Sequence, residues 1–144
     1  MRVCIDTNVL VSYLLAPEAD QSPNQVVRAG FGRRFDLWLS ETTLQEVARS
    51  VRSKPWLASR VDAKRADRFL LQLRRLATIA PDFPDQLPHV TRDPGDDYLI
   101  AHSVLARVDF LVTGDKDLLV LGEVAGVRIV SPAAFVAILD QSTE

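Results

Sequence analysis

Apolar and polar positions along this chain follow two alternating periods. Val3-Cys4-Ile5 is a short continuous apolar run, read as a strand over residues 2–7. Val9 to Ala16 follows as a helical apolar run that Pro17 ends. Ser22-Pro23 reads as an N-cap with proline at the first helical position, opening a helix to about Ala29, and "GFGRR" reads as a turn. Asp36 to Leu39 is a second strand. Ser40 caps a helix carrying Leu44, Val47, Ala48 and Val51, which Pro55 closes. Asp62 begins an amphipathic helix with Ala66, Phe69, Leu70, Leu73 and Leu76 at helical spacing and a polar face rich in Arg and Lys. Thr78 to Ala80 is a third strand. Residues 81–94 hold four of the eight prolines, which predicts a loop. "DPGDDYLIAHSVLARV" is a helix with an acidic start, "DFLVTGD" a buried strand ending on Asp115, and "GVRIV" another strand. Ser131-Pro132 caps a final apolar helix to Leu139.

Strands alternating with helices predict a three-layer α/β/α, Rossmann-like domain, with a central, mainly parallel sheet of four to five strands. The 144 residues suit one domain spanning 1–144. A chain of this size buries about 68–70% of its unfolded surface and needs no staple. Its single cysteine, Cys4, sits within the apolar first strand, where a buried thiol and a reducing, cytoplasmic setting are expected. No charged leader precedes an apolar region, and no apolar run approaches the ~18 residues of a membrane span, so neither export nor membrane insertion is expected.

Charge changes the picture more than composition does. Residues 28–75 carry twelve basic and five acidic side chains, a net +7, while the rest of the chain is net −9. Such segregation is either a set of solvated helix faces or a polyanion-facing region beside an acidic centre.

The acids decide between these. In an open parallel sheet, ligands bind outside the carboxyl ends of the strands, near the reversal of strand order. Asp6 ends the first strand and Asp115 the "DFLVT" strand. Asp97 lies in the first turn of a helix aimed at the same edge. Glu46 lies deeper in its helix, but helical side chains lean toward the N-terminus. Alone, Asp6 reads as an N-cap, Asp115 as a turn residue and Glu46 as a surface glutamate. Together, four carboxylates from four segments are expected to wall one pocket. Such a pocket repels itself without a cation. Oxygen donors without Cys or His favour Mg²⁺ or Mn²⁺, and an acid pocket beside a basic surface points to metal-assisted phosphodiester hydrolysis.

With those positions in hand, the sequence resembles the PIN-domain family of single-domain nucleases, which includes VapC-type toxins of bacterial toxin–antitoxin pairs. The resemblance rests on "CIDTNVLVSYLL", "LSETTLQEVARSV", "RDPGDDYLIAHSVLARVDFLVTGDKDLL" and "GVRIVSPAAFV", and covers essentially the whole chain. It implies a PIN-like fold and a Mg²⁺- or Mn²⁺-dependent ribonuclease. It also implies a homodimer and a small antitoxin partner. On the family's pattern Asp6, Glu46, Asp97 and Asp115 match the acidic metal-binding residues. Thr7, Asn8 and Thr113 match supporting polar positions, and Asp117 a further acid sometimes near the metal. Within "DPGDD", Asp97 leads the apolar "DYLIA" run, whereas Asp93 and Asp96 read as loop and cap residues. His102 departs from the pattern and reads as incidental, with a substrate contact left open.

Other side chains have plainer readings. Trp38 is a packing residue. Trp56 is packing, a stacking surface or an antitoxin anchor, and the Phe69 stripe is core or dimer interface. Lys116 is a solvated loop residue or a phosphate contact. "GFGRR" lacks the third glycine of a dinucleotide loop. Ser103 and His102 are helix neighbours pointing about 100° apart, so they form no nucleophile–base pair. Two alternatives to a nuclease stand: a PIN-like module that binds RNA or protein without turnover, and a phosphoryl-accepting signalling domain. The second needs an acid pair after strand one, where Asp6-Thr7 stands instead.

Overall fold

The computed structural model describes residues 1–80 and 94–142, with the side chains of 57, 58 and 94–97 excepted. The loop expected over 81–94, with Asp93, lies outside the described residues apart from Pro94.

Among the described residues, six strands form one sheet in the order β3-β2-β1-β4-β6-β5. They are β1 (Arg2–Ile5), β2 (Asp36–Ser40), β3 (Thr78–Ala80), β4 (Phe110–Val112), β5 (Glu123–Val124) and β6 (Val127–Val130). The first four and β6 run parallel, and β5 pairs antiparallel with β6. The sheet has one strand more than the four to five expected, because the two-residue β5 is too short to leave a periodic signal. Gly126, with φ 89°, makes the tight β5–β6 turn possible.

Strand alternation accounts for the layers. Val3 and Ile5 of β1, with Phe110 and Val112 of β4, face a core shared with α1 (Thr7–Leu15), α2 (Ser22–Phe31), α3 (Glu41–Ser53), α5 (Ala63–Leu76) and α8 (Pro132–Ser142). Cys4 and Leu111 face the opposite core, with Leu99 and Ile100 of α6 (Pro94–Leu105) and Leu118 of α7 (Lys116–Leu119). A parallel sheet covered on both faces needs such near-continuous apolar strands. The Phe69 stripe belongs to the first core, with Phe69 and Leu73 buried within this chain. Trp38 lies under the Arg2 guanidinium, 4.7 Å from ring centroid to Cζ.

Several boundaries differ from the sequence reading. The first strand stops at Ile5, and Thr7 is already helical. Ser22 lies inside α2 behind an N-cap at Gln21, and the helix continues through Gly30 to Phe31. A Cβ on Gly30 would meet the Phe35 ring at 3.2 Å, so this glycine serves close packing. The left-handed residue after the helix is Arg33, φ 57°. Beyond Ser53, Pro55 opens the short helix α4 (Pro55–Ala58). The strand expected to reach Asp115 is only Phe110–Val112, and α7 follows at once. Ser40 and Asp62 cap α3 and α5 as expected, accepting from the Thr43 and Lys64 backbone N–H groups.

Candidate active site

The chain proceeds from β1 outward through β2 and β3 on one side, and from β4 through β6 on the other. Strand order therefore reverses between β1 and β4, and a crevice opens at their carboxyl ends. Asp6 follows β1 directly, its backbone N–H donating to the Val112 carbonyl at 2.9 Å and extending the ladder to β4. A cleft of about 360 Å³ opens there, with Asp6, Glu46 and Asp115 in its walls. Three of the four predicted acids thus come together. Asp97 is placed by the backbone in the first turn of α6, and its side chain lies outside the described residues; the next residue, Tyr98, lines the cleft.

Asp6 occupies the N-cap position of α1, yet its side chain makes no capping bond. Instead its Oδ2 accepts from the Thr113 hydroxyl at 2.7 Å. The Thr113 hydroxyl in turn accepts from the Asp115 backbone N–H at 3.0 Å, so one buried side chain ties the two acids together. Glu46 is held across the cleft, where its Oε2 accepts from the Thr7 hydroxyl at 2.7 Å. Asp115 does cap a helix: its Oδ1 accepts from the Asp117 backbone N–H at 2.9 Å. Asn8 lines the cleft. Asp117 is not among the residues walling it; its backbone contributes to the α7 cap. Lys116 is likewise outside the walls and exposed.

Burial pushes the Asp6 carboxyl above its ordinary value, and the charges of Glu46 and Asp115 push the same way. Hydrogen bonds from Thr113 and the Thr7 backbone oppose that shift. The Asp6 carboxyl is thus raised first by burial and then by two like charges, a setting in which a bound cation would favour its charged form.

Among the described residues, no three Asp, Glu, His or Cys side chains converge tightly enough to enclose an ion by themselves. Mg²⁺ dehydrates reluctantly and keeps several waters, so carboxylates spaced around a cleft with room for those waters fit it better than a tight cage would. The donors are carboxylate, hydroxyl and amide oxygens, which suits a hard cation. His102 is fully buried, its Nδ1 lying 3.8 Å from the Cys4 Sγ behind the sheet, so it has no route to a substrate. Burial pushes the Cys4 thiol up to about 12, which keeps it an inert core group.

Sequence reading missed Arg49, which also lines the cleft. Its signal was its position on α3 three residues beyond Glu46, on nearly the same helix face. Arg49 also borders a second, larger groove of about 590 Å³ between α3 and α5.

Among solved structures, the chain is similar to PAE2754 from Pyrobaculum aerophilum, with a TM-score of 0.67 at 18% identity over 98% of this chain and 90% of that one. It is also similar to VapBC2 from Rickettsia felis, solved bound to a DNA fragment from their promoter, with a TM-score of 0.59 at 13% identity over 91% of this chain and 98% of that one. At these identities the likeness is one of fold. No curated protein matches the chain. The PIN domain family matches residues 2–117, which hold all four predicted acids, and the chain belongs to that family.

Proposed function

We propose that this chain is a Mg²⁺- or Mn²⁺-dependent endoribonuclease that hydrolyses RNA phosphodiester bonds, acting as the toxin of a type II toxin–antitoxin pair. PIN domains are generally nucleases. The observation that carries the reading is the meeting of Asp6, Glu46 and Asp115 in one cleft at the switch point of the sheet. The proposed metal-binding and catalytic residues are these three with Asp97. A bound hard cation supplies charge neutralisation at the scissile phosphate and a water of lowered pKa.

The chain's own residues do the rest. Thr113 and Thr7 fix the Asp6 and Glu46 oxygens, so neither carboxylate reorganises when the negative phosphate arrives. Asn8 is a polar support at the rim. The proposed assembly is a homodimer of one-domain chains with a small antitoxin. No helix among the described residues is long and apolar enough to cross a membrane.

The test is incubation of the purified chain with a mixed RNA pool in Mg²⁺, in Mn²⁺ and in EDTA. Cleavage with either metal that stops in EDTA supports the reading. RNA that is bound but stays intact with both metals refutes it in favour of a binding module.

A further inference from the structure

The α3–α5 groove begins where the acid cleft ends. Arg49 borders both, and the charged residues lining the groove, Arg49, Arg52 and Arg74, are all basic. Arg74 is already paired with Glu41, its Nη2 lying 2.5 Å from Oε1. Arg49 and Arg52 have no ion pair among the described residues, and both are exposed. They stand three residues apart on α3, one turn on from Glu46, so the positive charges leave the cleft in steps of about 4.5 Å along the helix axis. Between them the floor is Leu44, Ala48 and Leu70. Arg52 Nε donates to the Ala48 carbonyl at 3.3 Å, and with no ion pair among the described residues both guanidinium groups can hold an anion that also reaches the cleft.

We propose that this groove is the track for the RNA strand on one side of the cut, with Arg49 holding the phosphate next to the scissile one and Arg52 the phosphate beyond it. This rests on the ribonuclease reading of the cleft. The occupant is a single-stranded phosphate backbone rather than a protein partner, because the groove's charges are of one sign and continue those that would flank a bound substrate. Among the described residues, its lining has no aromatic ring on which a base could stack. The track therefore positions and does not read sequence. Arg49 and Arg52 are positioning residues.

The test uses the Asp6→Asn protein in Mg²⁺, so that RNA stays whole, with a fluorescein-labelled oligouridylate titrated by anisotropy across a series of KCl concentrations. Each lost single-strand phosphate contact removes about 0.7 from the slope of log K against log salt, so adding R49Q and R52Q together is expected to flatten it by about 1.4. Adding R49K and R52K instead is expected to restore the slope. R107Q, before β4 at the amino-terminal end of the parallel strands, is expected to leave it unchanged, and oligoadenylate is expected to behave as oligouridylate does. In the cleavage assay, with Asp6 intact, R49Q is expected to raise KM more than it lowers kcat. An unchanged salt slope in the R49Q/R52Q protein overturns the track, as does a loss of slope that lysine does not restore. If the native chain still cleaves the RNA pool with metal, such a result removes the track alone. If the native chain neither binds nor cleaves RNA, the ribonuclease reading falls with it.

Discussion

The acid cleft and the arginine groove meet at Arg49 and are built in opposite ways. In the cleft, each described carboxylate is tied down: Asp6 by Thr113, Glu46 by Thr7, and Asp115 through the α7 cap. In the groove, Arg49 and Arg52 are exposed and without ion pairs among the described residues. On the proposed reading, the difference follows from what each region would supply. Chemistry at a phosphorus atom needs oxygens fixed before the substrate arrives, and buried threonine hydroxyls provide that fixity. Holding a flexible backbone needs charge, and long arginine side chains provide it with little geometric demand. The cleft carries a cost for its order, because Asp6 is half-buried beside two like charges.

Removing charge from the ordered region gives the largest effect. Glu46→Gln keeps an oxygen for the Thr7 hydroxyl but removes the negative charge. It is expected to lower metal-dependent RNA cleavage by more than the ~10–100-fold typical of a residue that only supports a metal ligand, as read by kcat/KM. Thr113→Val tests the support itself. It keeps the buried shape while leaving Asp6 Oδ2 and the Asp115 N–H without their shared partner. An effect within that ~10–100-fold range is expected, together with a weaker Mg²⁺ dependence curve and a stability loss of ~1–3 kcal/mol in urea.

A third test reads the cost of the cleft. Folding favours the neutral form of Asp6, since its folded value is raised. Its stabilising contribution is therefore fully present below the ordinary carboxylate value of ~3.9 and is lost as pH rises through the raised folded value. Asp6→Asn, neutral at every pH, is expected to raise the Tm of metal-free protein at pH 7, with the gain shrinking toward acid pH. Mg²⁺ is expected to raise the Tm of the native chain and to have less effect on the variant. The smallest effect belongs to the exposed side. Glu41→Gln, which breaks the pair with Arg74, is expected to change stability by less than ~1 kcal/mol.

The sequence carried the strand–helix alternation because most elements leave a mark: the continuous apolar runs at Val3–Ile5 and Phe110–Val112, and the helical spacing of Ala66, Phe69 and Leu73. It carried the acids because each closes an apolar run or opens a helix. Elements with neither an apolar run nor a period were not legible. A four-residue α7 and a two-residue β5 exist through tertiary packing of Leu118 and pairing with β6, neither of which leaves a repeat. "GFGRR" misled because glycine usually marks the left-handed residue of a helix end, whereas here Gly30 is needed for the closeness of Phe35 and Arg33 takes the left-handed position. Arg49 was hidden for a related reason. Its spacing of three from Glu46 was the one mark it carried among the twelve basic residues of 28–75, and the packing of α3 beside the cleft separates it from its solvated neighbours.

On the proposed function, the cleft acids carry metal-dependent RNA hydrolysis. The most direct test is the cleavage rate of native and Asp6→Asn proteins, side by side, on one RNA pool in saturating Mg²⁺. Loss of cleavage in a variant that still folds and still binds RNA is the predicted result. Equal cleavage by the two proteins would contradict it and place the chemistry outside this cleft.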